Sequence, residues 1–410
     1  MARAGSDPAG WMMLDRFVYR RDEDGDGGGW CFPDESTAPL RATSSTSLGR
    51  PFEVAILHAE PPAVSRLYVR WPGGIKGKYG SGTALMAAHR DLILFQLVSM
   101  EGDITHDHFV CIASSDPAAG PHIELKRLPL CTIPMVLPPC CEEDTEGTTM
   151  QRVFFPNTVG LIRGSSPGRE EEFIVAQLAM VTNIPGASRM MDRKLKCACS
   201  VLVCRVLTMM ACGRFKSYPS SMRAMKTRPY IIGRRMLSSR STTIFVGFPT
   251  ILCVTGVGGD LLKYTSVVRH DQRLFGPLKP RTGYTIVTDT LSMTESDDIK
   301  CFHERVAIAY ELWRYNTSEC LPRQALMYPL VNMDDPSIVH YLVSEEGDKI
   351  DKVSMVTLDM ITQKVTSIVP YINGEEDLCG QDADMVKEKS HLLTSFLPSE
   401  FPKFLNLTRY

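Results

Sequence analysis

Val353-Ser-Met-Val-Thr-Leu358, followed by Asp359-Met-Ile-Thr362 and then Val365-Thr-Ser-Ile-Val369, decides the fold class of this chain. Two runs rich in β-branched residues flank a break led by aspartate, which is the pattern of a strand, a turn and a return strand paired as a hairpin. The same rhythm extends toward the N-terminus. Leu14–Tyr19, Phe52–Leu57 and Leu67–Trp71 are short apolar runs, bounded by the turn-forming clusters Asp22–Gly29, Glu60–Pro62 and Pro72–Gly74. Leu92–Val98, His108–Ala113, His122–Leu128, Val159–Arg163 and Phe173–Val181 continue it, and Tyr264–His270, Tyr284–Thr288 and Ile338–Ser344 carry it on to the opening hairpin. Short strands without regular helices between them predict an all-β sandwich, barrel or propeller. A length of 410 residues favours a β-propeller-like fold, because four-stranded blades of roughly 40–50 residues would use most of the chain. No WD or kelch signature accompanies it.

Two stretches depart from the strand rhythm. His303–Tyr315 places Val306, Ala309, Tyr310 and Trp313 at three- and four-residue steps, predicting a helix. Asp382–Leu397 does the same with Met385, Lys389, Leu392, Leu393 and Phe396, and Pro398 is expected to end it. Both are expected to pack on the rim of the β domain.

The charge pattern has a hole. From Arg193 to Gly259 there is no Asp or Glu, yet there are twelve basic residues, including Lys194, Lys196, Arg234, Arg235 and Arg240. The chain has 45 basic and 47 acidic residues in all, so a block of +12 sits inside a remainder of −14. Such an asymmetry marks either a nucleic-acid surface or a segment of different origin from its neighbours. The second reading is preferred: loss of every acid with a surge of Cys, Met, Arg and Ser is what translating a coding segment in the wrong frame produces. The long apolar runs Val201–Leu207 and Ile244–Val257 also argue against a solvated, nucleic-acid-binding arm. The expected organisation is a tail (1–10), the N-terminal part of the β domain (11–192), the basic and irregular segment (193–259), the C-terminal part (260–375) and a C-terminal helix and tail (376–410).

A hydrophobic content of 44% is enough for a sizeable core. Met1–Ala9 lacks the apolar run of a secretory signal, and no stretch approaches a membrane span. Thirteen cysteines, an odd and irregularly spaced set, fit reduced thiols in the cytoplasm or nucleus better than a disulfide framework. Asn316-Thr-Ser318 and Asn406-Leu-Thr408 match the glycosylation sequon and read as chance.

Several stretches, in order, resemble a grass-expanded plant family, the domain of unknown function 1618 family. They are Trp11-Met-Met-Leu-Asp-Arg-Phe17, Ala59-Glu-Pro-Pro-Ala-Val-Ser65 with Arg66–Trp71, Ala87-Ala-His-Arg-Asp-Leu-Ile-Leu-Phe95, Leu128-Pro-Leu-Cys-Thr-Ile-Pro134 and Phe173-Ile-Val-Ala-Gln-Leu178. Val267-Val-Arg-His-Asp271 through Asp359-Met-Ile-Thr362 continue the likeness. The resemblance implies a propeller-like β domain, related to those that follow F-boxes, and supplies no catalytic residues; no F-box is seen before Trp11. The departure is 193–259, where family members carry acidic, Trp-containing strands. This chain has no Trp between Trp71 and Trp313.

Motifs with chemical meaning are weak. Gly164-Ser-Ser166-Pro-Gly168 spells a nucleophile elbow, which needs a strand before the serine and a helix after it. Here three glutamates and another strand follow, so a hairpin loop explains it better. Asp22-Glu-Asp24-Gly-Asp26-Gly27 opens like a calcium loop, but its twelfth position is Pro33 instead of glutamate. His106 and His108 share a strand face near Cys111, short of a tetrahedral set. Cys197-Ala-Cys199 and Cys140-Cys141 lack zinc spacing, and Gly73–Gly80 lacks the ending of a phosphate-binding P-loop. Phe215, Tyr218 and Tyr230 are the aromatic residues a nucleic acid could stack on in the basic block.

The expectation is therefore a non-enzymatic, propeller-like module that binds an unidentified protein partner through its loops. It has no catalytic, cofactor or metal residues, no small-molecule ligand and no membrane association. The alternatives are a nucleic-acid binder using 193–259 and a serine hydrolase centred on Ser166.

Overall fold

The structure, a computed structural model, describes residues 10–21, 31–72, 83–101, 103–116, 120–130, 132–134, 149–151, 154, 159–163, 173–181, 198–206, 241–245, 250–258, 261–273, 276–293, 299–316, 321–346, 351–373 and 396–405. The all-β expectation is borne out, with two short helices toward the C-terminus among the described residues.

The first sheet contains β1 (Met12–Arg20), β2 (Leu40–Ser45), β3 (Pro51–Leu57), β4 (Val64–Arg70), β5 (Ala84–His89), β6 (Leu92–Glu101), β7 (Asp103–Asp116) and β8 (Gly120–Arg127), in the order β2-β3-β4-β1-β5-β6-β7-β8. The sheet curls until its ends meet, nearly closing a barrel. The Ser47 amide and hydroxyl both donate to Asp107 Oδ2 at 3.0 Å, and Arg127 Nη1 donates to the Thr46 carbonyl at 2.5 Å. Alternation along the strands decides what fills the barrel. Leu14 and Val18 of β1, Phe95 and Leu97 of β6, and Phe109 and Cys111 of β7 share one buried cluster with Phe52. Their sequence neighbours face outward: Leu92, Leu94, Val110 and Ile112 pack with Phe154, Leu161 and Phe173. Trp11, Met13 and Tyr19 join the main core instead. A strand buried on both faces reads as a near-continuous apolar run, which is why β6 stands out in the sequence.

The remaining strands form consecutive antiparallel sheets. β9 (Thr132–Pro134) pairs with β10 (Thr149–Gln151). β11 (Val159–Arg163), β12 (Phe173–Val181) and β13 (Ala198–Val206) make a three-stranded sheet. β14 (Ser241–Phe245), β15 (Thr250–Gly258), β16 (Leu261–Arg269), β17 (Tyr284–Met293) and β18 (Ile299–Ile308) make a five-stranded meander. β19 (Met327–Val331), β20 (Ile338–Glu345), β21 (Lys352–Asp359) and β22 (Lys364–Ile372) make a four-stranded one with the form of a propeller blade. The hairpin that opened the sequence reading is β21–β22, with Leu358 opposite Val365 and Met355 opposite Val369. Asp359 builds its turn by accepting the amides of Ile361 (2.8 Å) and Thr362 (3.3 Å) and the Thr362 hydroxyl (2.8 Å).

Within the basic block, 198–206, 241–245 and 250–258 are paired strands, with a register shift between Gly256 and Gly258. β13 pairs with β12 from Ala198 opposite Val181 to Val206 opposite Phe173, and β15 bridges β14 and β16. Arg234, Arg235 and Arg240 lie outside the described residues.

The first helix expectation needs correction, and the second lies almost wholly outside the described residues. Ile299–Ile308 is β18, and only Ala309–Tyr315 is helical (α1). The helical steps were accidental: Val306 and Tyr310 are exposed, and the buried face of α1 is Ala309 and Leu312. Pairing with β17 decides the matter, with Ile286 opposite Ala307 and Val287 opposite Val306. For Asp382–Leu397, residues 382–395 lie outside the described residues, but Leu397 opens β23 (Leu397–Ser399). Pro398 sits inside that strand opposite Met13, and a short helix follows, α2 (Phe401–Phe404). No helix among the described residues is long and apolar enough to cross a membrane.

Candidate functional site

A groove of about 660 Å³ lies between the loop after β16 and helix α1. Its first wall is built on a buried ion pair. Arg269, at the end of β16, forks onto Asp271, with Nε 3.0 Å from Oδ1 and Nη2 2.7 Å from Oδ2. The same guanidinium donates to the carbonyls of Gly276 (2.8 Å) and Pro277 (3.2 Å). Asp271 also accepts the amides of Arg273 (3.2 Å) and Lys279 (3.3 Å). The Arg269 hydrogen bonds hold the Asp271 carboxyl well below the usual carboxylate range. One buried pair thus fixes 271–273 and 276–279, and a turn closed by Thr282 onto the Lys279 carbonyl presents Lys279 and Arg281.

The second wall is α1 and the segment after it. Trp313 Nε1 donates to the Pro322 carbonyl at 3.1 Å, which sets Arg323 beside Arg314 in the lining. Gln324 Oε1 accepts the Leu278 amide at 3.2 Å and ties the two walls together. Gly283 permits the close approach: a Cβ there would lie 3.3 Å from that of Ala309. Tyr284 is fully buried yet contributes to the lining, its ring edge-on to Trp313 at 5.9 Å. Burial pushes its phenol far above the ordinary tyrosine value, so it stays protonated, and its hydroxyl has no hydrogen-bond partner among the described residues.

Electrostatically the groove is one-sided. Lys279, Arg281, Arg314 and Arg323 line it, with His270 bonded to the Thr285 hydroxyl at 2.8 Å, and among the described lining residues none carries a carboxylate. Its rim is apolar: Tyr310 is 71% exposed, and Ile308 and Val306 are each 42% exposed. Gln363 Nε2 donates to the Val306 carbonyl at 3.3 Å, bringing the turn that carries exposed Ile361 to the same ridge.

The residues singled out in the sequence fare differently. His106 and His108 do share a face of β7, where a single amide bridges them: Gln96 Nε2 lies 3.0 Å from His106 Nδ1 and Gln96 Oε1 lies 3.1 Å from His108 Nε2. Cys111 points to the opposite face, into the barrel interior, so the three do not assemble. Burial, with a smaller contribution from His106, lowers the His108 pKa to about 4. Among the described residues no three His, Cys, Asp or Glu side chains group as metal ligands. The loop holding Ser166 lies outside the described residues, but its flanks β11 and β12 pair as a hairpin, Arg163 opposite Phe173, so a strand follows the serine. Asp22–Gly27, Gly73–Gly80, Cys140, Cys141 and Cys197 also lie outside them, and Cys199 falls on β13. Asn316 is buried, and its amide nitrogen donates to the Leu312 and Gln363 carbonyls, in keeping with a chance sequon.

The groove residues come from separate stretches of sequence, 270–284, 308–314 and Arg323, that only the fold brings together. A second acid-free run, 272–288, carries Arg273, Lys279 and Arg281 and was the available signal. No protein-family model matches the chain, and comparison with curated proteins finds no match either.

Proposed function

We propose that this protein is a non-enzymatic interaction module that takes an extended, acidic and partly apolar segment of a partner protein along the groove between 270–284 and α1. The observation that carries this reading is the pairing of four lining cations, with no carboxylate among the described lining residues, with an exposed apolar ridge of Val306, Ile308, Tyr310 and Ile361. An exposed ridge beside a cationic cleft supplies both halves of a recognition surface, an apolar anchor and charge complementarity. Three arginines and a lysine dominate the described lining, beside His270 and Thr282, and their fixed charges attract anions at neutral pH. This supports binding in preference to catalysis. Membership of the domain of unknown function 1618 family and an intracellular setting belong to the same proposal, supported by the ordered sequence stretches and the odd cysteine count.

The test uses Trp313, which sits in the groove, as the reporter. Peptides alternating acidic and apolar residues should change its emission and bind at least about tenfold more weakly when Arg314 and Arg323 are both changed to Glu. Raising the salt should weaken binding. Equal binding of a lysine-substituted peptide, or no response to any acidic peptide, would overturn the proposal.

A further inference from the structure

We infer that Gln96, His106 and His108 form a pH-sensitive latch that holds Gln151 and Phe154 against the barrel wall and lets them go when both imidazoles are protonated. The latch stands where a strand runs out. β8 ends at Arg127, opposite Phe109, and the Leu128 amide still reaches the His108 carbonyl at 2.8 Å. Two residues earlier on β7 a side chain takes the strand's place. The His106 amide donates to Gln151 Oε1 at 2.9 Å, and Gln151 Nε2 donates to the His106 carbonyl. Phe154 adds a second contact, its ring centroid 4.7 Å from that of His108. Beyond it Phe154 packs with Leu92, Leu94, Val110 and Ile112, so its departure uncovers an apolar face of the barrel.

The sensitivity to pH comes from sharing one amide between two imidazoles. Gln96 faces His106 Nδ1 with one end of its carboxamide and His108 Nε2 with the other, at 3.0 and 3.1 Å. That group offers one donor end and one acceptor end, so one ring must present a bare nitrogen and the other an N–H. A singly protonated pair still complies, in one orientation of the amide or the other. A doubly protonated pair complies in neither, because one ring N–H is driven against the amide N–H. Neighbouring charge does not offset this. Asp107 lies on the opposite face of β7, where it accepts from Ser47, and it favours the His106 proton less than burial disfavours it. On the face of the pair, β6 brings Gln96 and Val98, the β9–β10 hairpin brings no ionisable residue, and β8 brings Lys126, a further positive charge. Burial lowers both histidine pKa values, that of His108 to about 4 from 6.5. The latched form is therefore favoured above about pH 6.5 and is lost as pH falls toward 4.

The experiment is NMR of the full chain carrying nitrogen-15 only at its nine histidines, from about pH 7.5 down to about pH 4.5. The His106 amide reads the Gln151 bond directly through its hydrogen exchange, corrected for the intrinsic effect of pH. It should exchange faster than the His340 amide, which lies inside a sheet and opens only with the whole fold. Its protection should fall by more than about tenfold per pH unit between about pH 6 and about pH 5, a slope that a single histidine cannot produce. The ring nitrogens of His106 and His108 should titrate in two separated steps. His108→Gln should reduce the slope at His106 to about tenfold per unit or less. Gln151→Ala, a change at a half-buried site, should free the His106 amide at every pH. Protection at His106 equal to that at His340 throughout would overturn the latch, since only global unfolding would then expose the amide. A slope of tenfold or less in the natural chain, or an unchanged slope in His108→Gln, would overturn the shared-amide mechanism. Undiminished protection of His106 in Gln151→Ala would remove the clamp.

Discussion

At the scale of single residues, buried polar side chains set the points where this fold is most sensitive. Asn316, at the end of α1, donates to the Leu312 carbonyl (2.8 Å) and the Gln363 carbonyl (3.0 Å) and accepts the Val365 amide (2.8 Å). It therefore splices the helix to the start of β22, and Asn316→Ala strands backbone groups that water cannot reach. A loss of about 3 kcal/mol is expected in urea unfolding, against under about 1 kcal/mol for an exposed polar site without such bonds. Histidines make the second case. His108 is 3% exposed and His340 4%, and burial lowers both pKa values to about 4 from 6.5. Between those values the unfolded chain binds more protons than the folded one, so stability rises with pH across that window. The stabilisation is fully present above 6.5 and is lost as pH falls toward 4, by about 3 kcal/mol per histidine. Tm measured from about pH 7.5 down to about pH 4.5 should fall steeply, and a His108→Gln, His340→Gln variant should show a flatter profile. An equally steep decline in that variant would assign the acid sensitivity to other groups.

Between residue and molecule lie the elements, where the loop 271–282 joins stability to the proposed site. Asp271→Ala leaves the Arg269 charge buried without its partner, at a cost of about 3–5 kcal/mol. Replacing both, as Arg269→Met with Asp271→Leu, removes the unpaired charge and should recover much of that stability. It does not restore the donors to the Gly276 and Pro277 carbonyls, so peptide binding in the groove should remain lost. Full binding by the double variant would show that the loop holds its course without the pair. The same scale explains what the sequence could and could not reveal. β21–β22 was legible because Val353–Leu358 and Val365–Val369 each carry their own signal and Asp359 marks the turn. β2 was not, since Leu40-Arg-Ala-Thr-Ser-Ser45 has little apolar content and is a strand through its pairing with β3. Val306 and Ile308 looked helical until β17 offered them an edge. The groove lay further out of reach: Lys279 and Arg281 sit in a readable acid-free run, but Arg323 joins them only through the Trp313–Pro322 and Leu278–Gln324 bonds.

For the whole molecule, closure of the two chain ends on each other is the feature on which cooperativity turns. β23 pairs with the start of β1, Met12 opposite Ser399 and Leu14 opposite Leu397, while the same strand pairs in parallel with β4. On the other side of β1, Asp15 accepts the hydroxyls of Tyr19, at 2.8 Å, and of Tyr371 from β22, tying the first strand to the last large sheet. β1 thus serves both the barrel interior, through Leu14 and Val18, and the main core, through Trp11, Met13 and Tyr19. Chain from the C-terminal end fills both cores as well: Phe396 lies in one, and Leu397, Phe401 and Leu405 in the other. At about 1.5–3 kcal/mol per buried large apolar side chain, removing these four costs about 6–12 kcal/mol. That rivals the whole stability of an ordinary domain, about 5–15 kcal/mol. Deleting 396–410 should therefore abolish the cooperative transition in calorimetry, whereas Leu397→Ala should lower the stability by about 3 kcal/mol and keep a single transition. If the truncated chain unfolded with an unchanged midpoint, the two cores would have to be held by the sheets alone, and the seal at β1 would be incidental. If Leu397→Ala split the transition in two, β23 would be the coupling between barrel and main core, because it is seated in one and paired to the strand that serves both.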